Sequence, residues 1–381
     1  MGKFPPEEYK KIGFDFGGYL EPEVTSDSEY PDYLKAEAED TINKVLALQN
    51  ENTASIGFMT DLHYAVNFKI EHQIRLRRLL NTYKDITEKA NCSFLAIGGD
   101  VATNGSKRYV SECMTSLRNE FKARNIKFFP VTGNHDGNDI WDNVCVYERP
   151  AINHLLPSER YKLFFDHIEN EGAVIGNKDR LYYYVDNNDV KLRSIFLNCC
   201  DVPYKFKENG ALKYAPQDDY FYSKEQLDWL TDTALSFTED GWTAVIFQHV
   251  PLKLDYFRSE CFDRVLVLQD ILLARRDNSR CDFVNDNKEL HTEVHKDFSD
   301  YKKCSIAGVF FGHIHKDRLY TYDGIHYTSA ANAVMYKSDK TIERNDGDKT
   351  ELLMDIITID TKKRTVTLTR VGSGEDRSYN Y

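Results

Sequence analysis

The sequence lacks the features that direct a chain into or across a membrane. It has no apolar run long enough to span a bilayer, and its first residues have neither the apolar segment nor the small-residue cleavage site of a secretory signal. These absences predict an unexported, cytoplasmic protein with no membrane partner.

Basic residues are outnumbered by acidic residues, and the cysteines are not arranged in CxxC pairs. Lys and Arg number 49 against 61 Asp and Glu, for a formal net charge of -12, so the sequence carries no strong nucleic-acid signal.

The eight cysteines include no CxxC pair, which disfavours a disulfide framework and a thiolate zinc site. We interpret the adjacent Cys199 and Cys200 as small residues that end a strand. Nothing in the sequence indicates an oligomeric state.

What the sequence does contain is five short polar segments, each directly after an apolar run with the length of a buried strand. The segments are Asp61-Leu62-His63, Gly98-Gly99-Asp100, Gly133-Asn134-His135-Asp136, Gln248-His249-Val250-Pro251 and Gly312-His313-Ile314-His315. Stretches at helical spacing, about 71–90 and 107–123, separate the first three. Alternation of strand, polar loop and helix is typical of βαβ units, whose strands carry functional side chains at their carboxyl ends. The sequence therefore predicts an α/β fold.

The side chains in these segments favour a metal site. Asp, His and Asn are ligands suited to Zn, Mn or Fe, and the absence of Cys among them points to a catalytic rather than a structural site. The candidates are Asp61, His63, Asp100, Asn134, His249, His313 and His315. Seven side chains are too many for one ion and enough for two if a carboxylate bridges. Any one segment alone is better explained as a hydrogen-bonded loop, but that explanation does not account for all five in order.

The order and spelling of the segments resemble the calcineurin-like metallophosphoesterase superfamily. The matching motifs are Asp61-x-His63, Gly99-Asp100 with Gly105, Gly133-Asn134-His135-Asp136, His249-x-Pro251 and Gly312-His313-x-His315. The resemblance implies a two-sheet β-sandwich flanked by helices. Residues 1–50 lie outside its motifs and are interpreted as an N-terminal extension with one helix, which the helical spacing of Leu34, Ala38, Ile42, Val45 and Leu48 predicts. The metallophosphoesterase domain would span 51–381, with insertions at about 138–240 and 254–303.

The same resemblance implies a hydrolase of phosphate esters with two divalent metal ions. Asp61, His63, Asp100 and His315 would hold one ion, and Asp100, Asn134, His249 and His313 the other, with Asp100 as the bridge. A metal-bound hydroxide would attack the phosphorus of a small phosphorylated substrate, such as a nucleotide. His135 would bind no metal; it would stabilise the developing charge or protonate the leaving group.

One position departs from the family pattern. Many relatives have an Asp three residues after the bridging Asp, where it orients the catalytic His, but this chain has Thr103 followed by Asn104. Either side chain can hydrogen-bond an imidazole, and neither stabilises its charged form as a carboxylate would. This departure leaves an alternative, a non-catalytic binding or scaffold protein on the same fold, although the complete ligand set favours the enzyme.

The aromatic segment from Tyr204 to Tyr222 predicts substrate preference. Its rings could stack on a base or sugar in the second arm of a diester, which ranks phosphodiesters ahead of phosphomonoesters. The composition of this segment is equally consistent with rings that pack beneath their own loop.

Three further expectations concern regions outside the motifs. His291 and His295 are spaced i, i+4 and could bind a metal on a helix, although a solvated face is the better interpretation. Runs at 318–329, 352–360 and 365–370 predict hairpins that complete a second sheet. The residues after Gly372 predict a flexible terminus.

Overall fold

The computed structural model describes residues 30–66, 70–139, 150–252, 265–285, 289–335 and 342–381. The helices of these residues are α1 Asp32–Leu48, α2 Ile70–Ala90, α3 Lys107–Ala123, α4 Pro157–Arg160, α5 Lys224–Trp229 and α6 Val267–Arg276. Wider π turns, Tyr161–Phe165 and Leu230–Ala234, continue α4 and α5, and a 3-10 turn spans Lys349–Glu351. No described helix combines the length and apolarity needed to cross a membrane.

The strands of the described residues form two large sheets and one hairpin. They are β1 Thr53–Met59, β2 Leu95–Ile97, β3 Phe128–Pro130, β4 Ala173–Asn177, β5 Tyr182–Asn187, β6 Leu192–Phe196, β7 Trp242–Phe247, β8 Arg280–Asn285, β9 Thr292–Asp297, β10 Cys304–Phe311, β11 Arg318–Tyr322, β12 Ile325–Ser329, β13 Leu353–Asp360, β14 Thr365–Gly372 and β15 Arg377–Asn380.

Each large sheet has a parallel centre extended by antiparallel strands. The first has the order β15-β14-β13-β1-β2-β3, in which β1, β2 and β3 are parallel. The second has the order β11-β12-β10-β7-β6-β5-β4, in which β12, β10, β7 and β6 are parallel. The strands predicted to precede the five polar segments are therefore β1, β2 and β3 in one sheet and β7 and β10 in the other.

Aromatic side chains pack the two sheets face to face. The ring of Phe58 on β1 lies 6.0 Å from that of Phe247 on β7 and 5.6 Å from that of Phe310 on β10. Helices α1, α2 and α3 contribute to the same core, whereas α5 and α6 pack in a second cluster on the far side of the second sheet. This arrangement confirms the predicted two-sheet sandwich flanked by helices.

Helix α3 shows how local sequence sets an element that carries a site loop. Its N-cap is Ser106, whose hydroxyl accepts a hydrogen bond from the backbone N–H of Tyr109. Val110, Cys113 and Leu117 then recur at helical spacing and are buried. The helix therefore begins directly after Gly105 and fixes the loop that follows β2.

The predicted helix of the N-terminal extension is α1. Leu34, Ala38 and Val45 are fully buried along one face. Glu37, also buried, accepts a hydrogen bond from the backbone N–H of Gly372 at 2.9 Å and pairs with Lys349. Apolar contacts and these polar contacts together fix α1 against the C-terminal strands. Residues 1–29 lie outside the described residues.

Two predictions about the C-terminal third were wrong. Strand β13 pairs with β1, and β14 pairs with β13, so both extend the first sheet, whereas β11 and β12 join the second. The tail is ordered: β15 pairs with β14, and Arg377 donates to Asp355 at 2.6 Å. Arg370 donates both to Asp355 and to Asp317, which lies just beyond the last polar segment.

The segment of His291 and His295, for which a metal site on a helix was the less favoured interpretation, belongs to the β8–β9 hairpin. His295 lies on β9, and its two ring nitrogens contact Asp282 at 2.7 Å and Glu293 at 2.8 Å. Both histidines are exposed. The interpretation as a solvated face agrees with this exposure.

Candidate metal centre

The five polar segments meet at one edge of the sandwich. Hydrogen bonds join the two sheets there: the backbone N–H of His313 donates to the Asp61 carboxylate at 3.0 Å, and Nδ1 of His249 lies 2.7 Å from the carbonyl oxygen of Gly98. Parallel strands present their carboxyl ends on one side, so loops that are distant in sequence become neighbours.

A first group of candidate ligands gathers around Asp61. Oδ1 of Asp61 lies 3.1 Å from Nε2 of His315, and Nε2 of His315 lies 3.1 Å from Nε2 of His63. Oδ2 of Asp100 lies 3.8 Å from Nε2 of His63. These are the four side chains that the family resemblance assigns to one ion, and Asp61, His63 and His315 have ligand atoms close enough to share a metal.

A second group gathers around Asn134. Its Oδ1 lies 2.9 Å from Nε2 of His249 and 3.1 Å from Nδ1 of His313. Nε2 of His249 also lies 3.2 Å from Oδ2 of Asp100. Asp100 thus touches both groups, and Asp61, Asp100 and His249 form another set that could hold a metal.

The backbone at this edge adopts conformations that L residues rarely occupy. Positive φ angles occur at Asp61 (53°), His63 (42°), Asp100 (51°), His313 (67°) and His315 (52°). Left-handed conformations of non-glycine residues cost free energy and cluster at functional sites, where the surrounding structure enforces them. Five of the seven candidate ligands have positive φ angles. The surrounding structure therefore holds these five residues in strained backbone conformations.

Two glycines allow the loops to approach the carboxylates. A Cβ on Gly133 would lie 2.1 Å from Oδ1 of Asp100, and one on Gly312 would lie 2.3 Å from Oδ2 of Asp61. Any side chain at either position would displace a candidate ligand.

Two histidines have their far nitrogens fixed by neighbouring groups. A carbonyl oxygen only accepts, so Nδ1 of His249 must donate its proton to Gly98 and Nε2 is directed at Asn134 and Asp100. Nε2 of His313 lies 3.4 Å from the hydroxyl of Tyr220, which leaves Nδ1 for the site. Such partners orient metal-binding histidines. Tyr220 was not predicted as part of the site.

Burial and charge divide the histidines into two kinds. Burial lowers the pKa of His63 to about 4 and that of His313 to about 3, which keeps them in the neutral form that binds metals. For His249, burial would lower the pKa, but the Asp100 carboxylate raises it to about 10. For Asp61, burial would raise the pKa, but His315 lowers it to about 2. The carboxylates are therefore held ionised.

His135 lies beside both groups without joining either. Its Nε2 is 3.9 Å from Oδ2 of Asp100, and its ring centroid is 5.2 Å from that of His63. The amide of Asn104 lies 2.7 Å from Nδ1 of His135. Asn104, not Thr103, is therefore the partner of this imidazole. An amide N–H that donates to Nδ1 leaves the proton on Nε2, where it can be donated to a substrate oxygen.

Asp136 has a structural function that the sequence analysis did not assign. Its carboxylate accepts backbone N–H groups from Gly133 at 2.6 Å, Val101 at 2.9 Å and Asp100 at 3.2 Å. It thereby fixes the loop after β3 to the loop after β2.

We expect Asp136→Ala to lower the free energy of unfolding by about 2 kcal/mol or more, because buried N–H groups without an acceptor cost about 1–3 kcal/mol each. Urea denaturation of the metal-free protein measures this. The control is Asp232→Ala, which removes the exposed partner of Lys296 and should cost less than about 1 kcal/mol. Equal stability of the two variants would contradict the anchoring function of Asp136.

The aromatic segment 204–222 follows the second of its two interpretations, in which the rings pack beneath their own loop. Tyr214, Tyr220, Phe221 and Tyr222 are buried, so these four rings pack beneath their own loop rather than line a binding surface. Of the named rings, Phe206 is the most exposed, at 57%. The backbone of this segment does reach the centre, because the carbonyl oxygen of Gln217 accepts from Nδ2 of Asn134 at 3.1 Å.

The fold and the motifs that carry the candidate ligands are those of one protein family. A family model described as calcineurin-like phosphoesterase matches residues 54–317, and the chain belongs to this family. A search of curated proteins gave no match.

Matches among solved structures are distant. The GAP50 anchor of the Plasmodium inner membrane complex is 11% identical over 82% of this chain and 85% of its own, with a TM-score of 0.40. A phosphopantetheinyl hydrolase from Mycobacterium tuberculosis is 14% identical over 74% of this chain and 91% of its own, with a TM-score of 0.31. At these scores neither match bears on substrate or activity.

Proposed function

We propose that the protein is a phosphate ester hydrolase with a dinuclear metal centre, acting on phosphodiesters ahead of phosphomonoesters. The observation that carries the proposal is the meeting of two ligand groups at one buried carboxylate, Asp100, which lies 3.2 Å from His249 and 3.8 Å from His63. Two ions about 3.5–4 Å apart are the usual arrangement in phosphoesterases, and they need a shared ligand.

The residues fit two divalent transition metals. Asp61, His63, Asp100 and His315 would hold one ion, and Asp100, Asn134, His249 and His313 the other. The donor set of carboxylate, imidazole and amide oxygen suits Zn, Mn or Fe. When bound, such ions acidify a water molecule and neutralise charge on the phosphoryl oxygens.

The chain itself supplies orientation and a proton. Gly98 and Tyr220 fix the rings of His249 and His313, so that each directs one nitrogen inward. His135, held at Nδ1 by Asn104, presents Nε2–H to the substrate and donates a hydrogen bond or a proton to the leaving oxygen. Asp61 and Asp100 are the only anionic side chains in the proposed ligand set, so two bound divalent ions leave the centre positively charged.

We expect the protein loaded with Zn, Mn or Fe to hydrolyse bis-p-nitrophenyl phosphate with a higher kcat/KM than p-nitrophenyl phosphate. Elemental analysis should find two metal ions per chain, and the protein treated with chelator should be inactive until metal is restored. A monoester preference above about tenfold, equivalent to ~1.4 kcal/mol of transition-state binding, would overturn the diester ranking. Absence of bound metal would contradict the proposal as a whole.

A further inference from the structure

A turn at residues 215–219 lies against the second ligand group. The carbonyl oxygen of Gln217 accepts hydrogen bonds from Nδ2 of Asn134 and from the hydroxyl of Tyr220, both at 3.1 Å. The backbone N–H of Gln217 donates to the buried Asp139 carboxylate at 2.9 Å. Asp218 is the next residue, so these three bonds fix its position beside the metal centre.

The two acidic residues of this turn have different environments. Asp219 accepts the backbone N–H of Ala215 at 3.0 Å, so its carboxylate closes the turn. The Asp218 side chain is exposed, whereas Asn134 beneath the turn is buried. Partial burial and the charge of Asp219 raise the pKa of Asp218, and the nearby His135 imidazole lowers it. Asp218 therefore lies at the mouth of the site, on the side of His135.

Two buried acceptors lie on residues that adjoin Asp218 or contact His135. Oε1 of Gln217 and Oδ1 of Asn104 are buried atoms with no hydrogen-bond partner among the described residues. Gln217 precedes Asp218, and Asn104 contacts His135. A ligand arm that carries O–H, N–H or positive charge would satisfy the exposed Asp218 carboxylate. A phosphate dianion offers only more acceptors and more negative charge.

We propose that Asp218 determines the substrate class of this site by favouring phosphodiesters whose second arm carries hydroxyl groups or a cationic amine and by disfavouring dianionic phosphomonoesters. The inference rests on the proposed hydrolase function. A monoester carries about one more negative charge than a diester at neutral pH. One unit of charge a few ångströms away at a half-exposed site changes an equilibrium or rate constant by about tenfold.

The test compares Asp218→Asn with the matched control Asp219→Asn, one residue away in the same turn. The substrates are p-nitrophenyl phosphate, bis-p-nitrophenyl phosphate and p-nitrophenyl phosphorylcholine, a diester with a cationic arm. In Asp218→Asn we expect the ratio of monoester to diester kcat/KM to rise about five- to tenfold, and the phosphorylcholine ester to lose about threefold or more relative to bis-p-nitrophenyl phosphate. In Asp219→Asn both ratios should stay within about twofold. Unchanged ratios in Asp218→Asn would overturn the inference.

A binding measurement separates this inference from the proposed function. Calorimetry of the metal-loaded protein with inorganic phosphate and with dimethyl phosphate needs no turnover. Phosphate should bind Asp218→Asn about five- to tenfold more tightly than the unmodified protein, with a smaller change for dimethyl phosphate. If no ester is hydrolysed but this difference appears, the hydrolase proposal fails and the charge selection by Asp218 stands. If esters are hydrolysed and neither the ratios nor phosphate affinity change, the function stands and the inference fails.

Discussion

Asp100→Asn is expected to lower kcat/KM by at least about 100-fold and to reduce bound metal from two ions per chain to one or none. Oδ2 of Asp100 lies close to both ligand groups, at 3.2 Å from Nε2 of His249 and 3.8 Å from Nε2 of His63. A neutral amide cannot bridge two cations, and loss of even an outer partner of a metal ligand costs about 10–100-fold. Oδ1 of the new amide can still accept the backbone N–H of His135, so the loop should keep its shape.

Metal content and thermal stability check this result without relying on activity. Added zinc or manganese should raise the Tm of the unmodified protein, because a ligand that binds only the folded state stabilises it, and should raise that of Asp100→Asn much less. The matched control is Asp360→Asn. Asp360 is also buried, but it is the β-sheet neighbour of Thr53 at the opposite end of β1 from Asp61, and its carboxylate accepts from Asn50. The control should keep both metal and activity. Full occupancy and activity in Asp100→Asn would refute the dinuclear arrangement.

The seven candidate ligands could be predicted because the order and direction of the strands determine where these residues lie. Parallel strands such as β1, β2 and β7 are recognisable as short apolar runs, and their carboxyl ends must lie on one side of the sheet. Polar residues placed directly after such runs therefore converge, even though Asp61 and His313 are 252 residues apart in the sequence. The geometry that brings them within hydrogen-bonding distance is consistent with this expectation, while their roles as ligands remain a proposal.

Residues that act through long-range contacts were not predictable. Tyr220 and Gln217 touch the site because β6 and β7 bring the segment 204–222 back to the carboxyl edge, and no spacing in the sequence marks them. Asp136 belonged to a recognised motif, but its function depends on backbone groups that become neighbours only after folding. Aromatic composition was consistent with both a stacking surface and rings packed beneath their own loop, and only the structure shows that Tyr214, Tyr220, Phe221 and Tyr222 are buried.

A less favoured alternative and a wrong prediction, neither found in the structure, have identifiable physical reasons. A spacing of four residues puts His291 and His295 on one face of either a helix or a strand, since four is close to one helical turn and is also twice the strand period. The tail after Gly372 looked flexible because of its glycines, but Arg377 and Arg370 bind the Asp355 carboxylate and attach the tail to the first sheet. Charge pairs between distant residues override local composition.

His135→Ala is expected to lower kcat by about 10²–10⁴-fold, the span typical of a positioned acid or base, and to leave metal content unchanged. The imidazole of His135 lies at the edge of the two ligand groups, and its Nε2 is 3.9 Å from Oδ2 of Asp100. Neither proposed ligand set includes His135. His326→Ala provides the control. That ring stacks on Tyr379 at 4.1 Å between centroids, on a strand away from the site, and its removal should leave kcat and metal content unchanged. Loss of metal in His135→Ala would show that the ligand assignment is wrong.

Substitutions of Asn104 test whether this residue acts through His135. If its amide acts by holding Nδ1 of His135, at 2.7 Å, then Asn104→Ala should lower kcat by less than His135→Ala does, and the double variant should be no slower than His135→Ala alone. Residues that act independently would instead give losses that multiply. Asn104→Asp would place a carboxylate at the same nitrogen, where it can stabilise the imidazolium form, and should restore kcat relative to Asn104→Ala. Multiplying losses, together with no recovery in Asn104→Asp, would show that Asn104 does not act through His135.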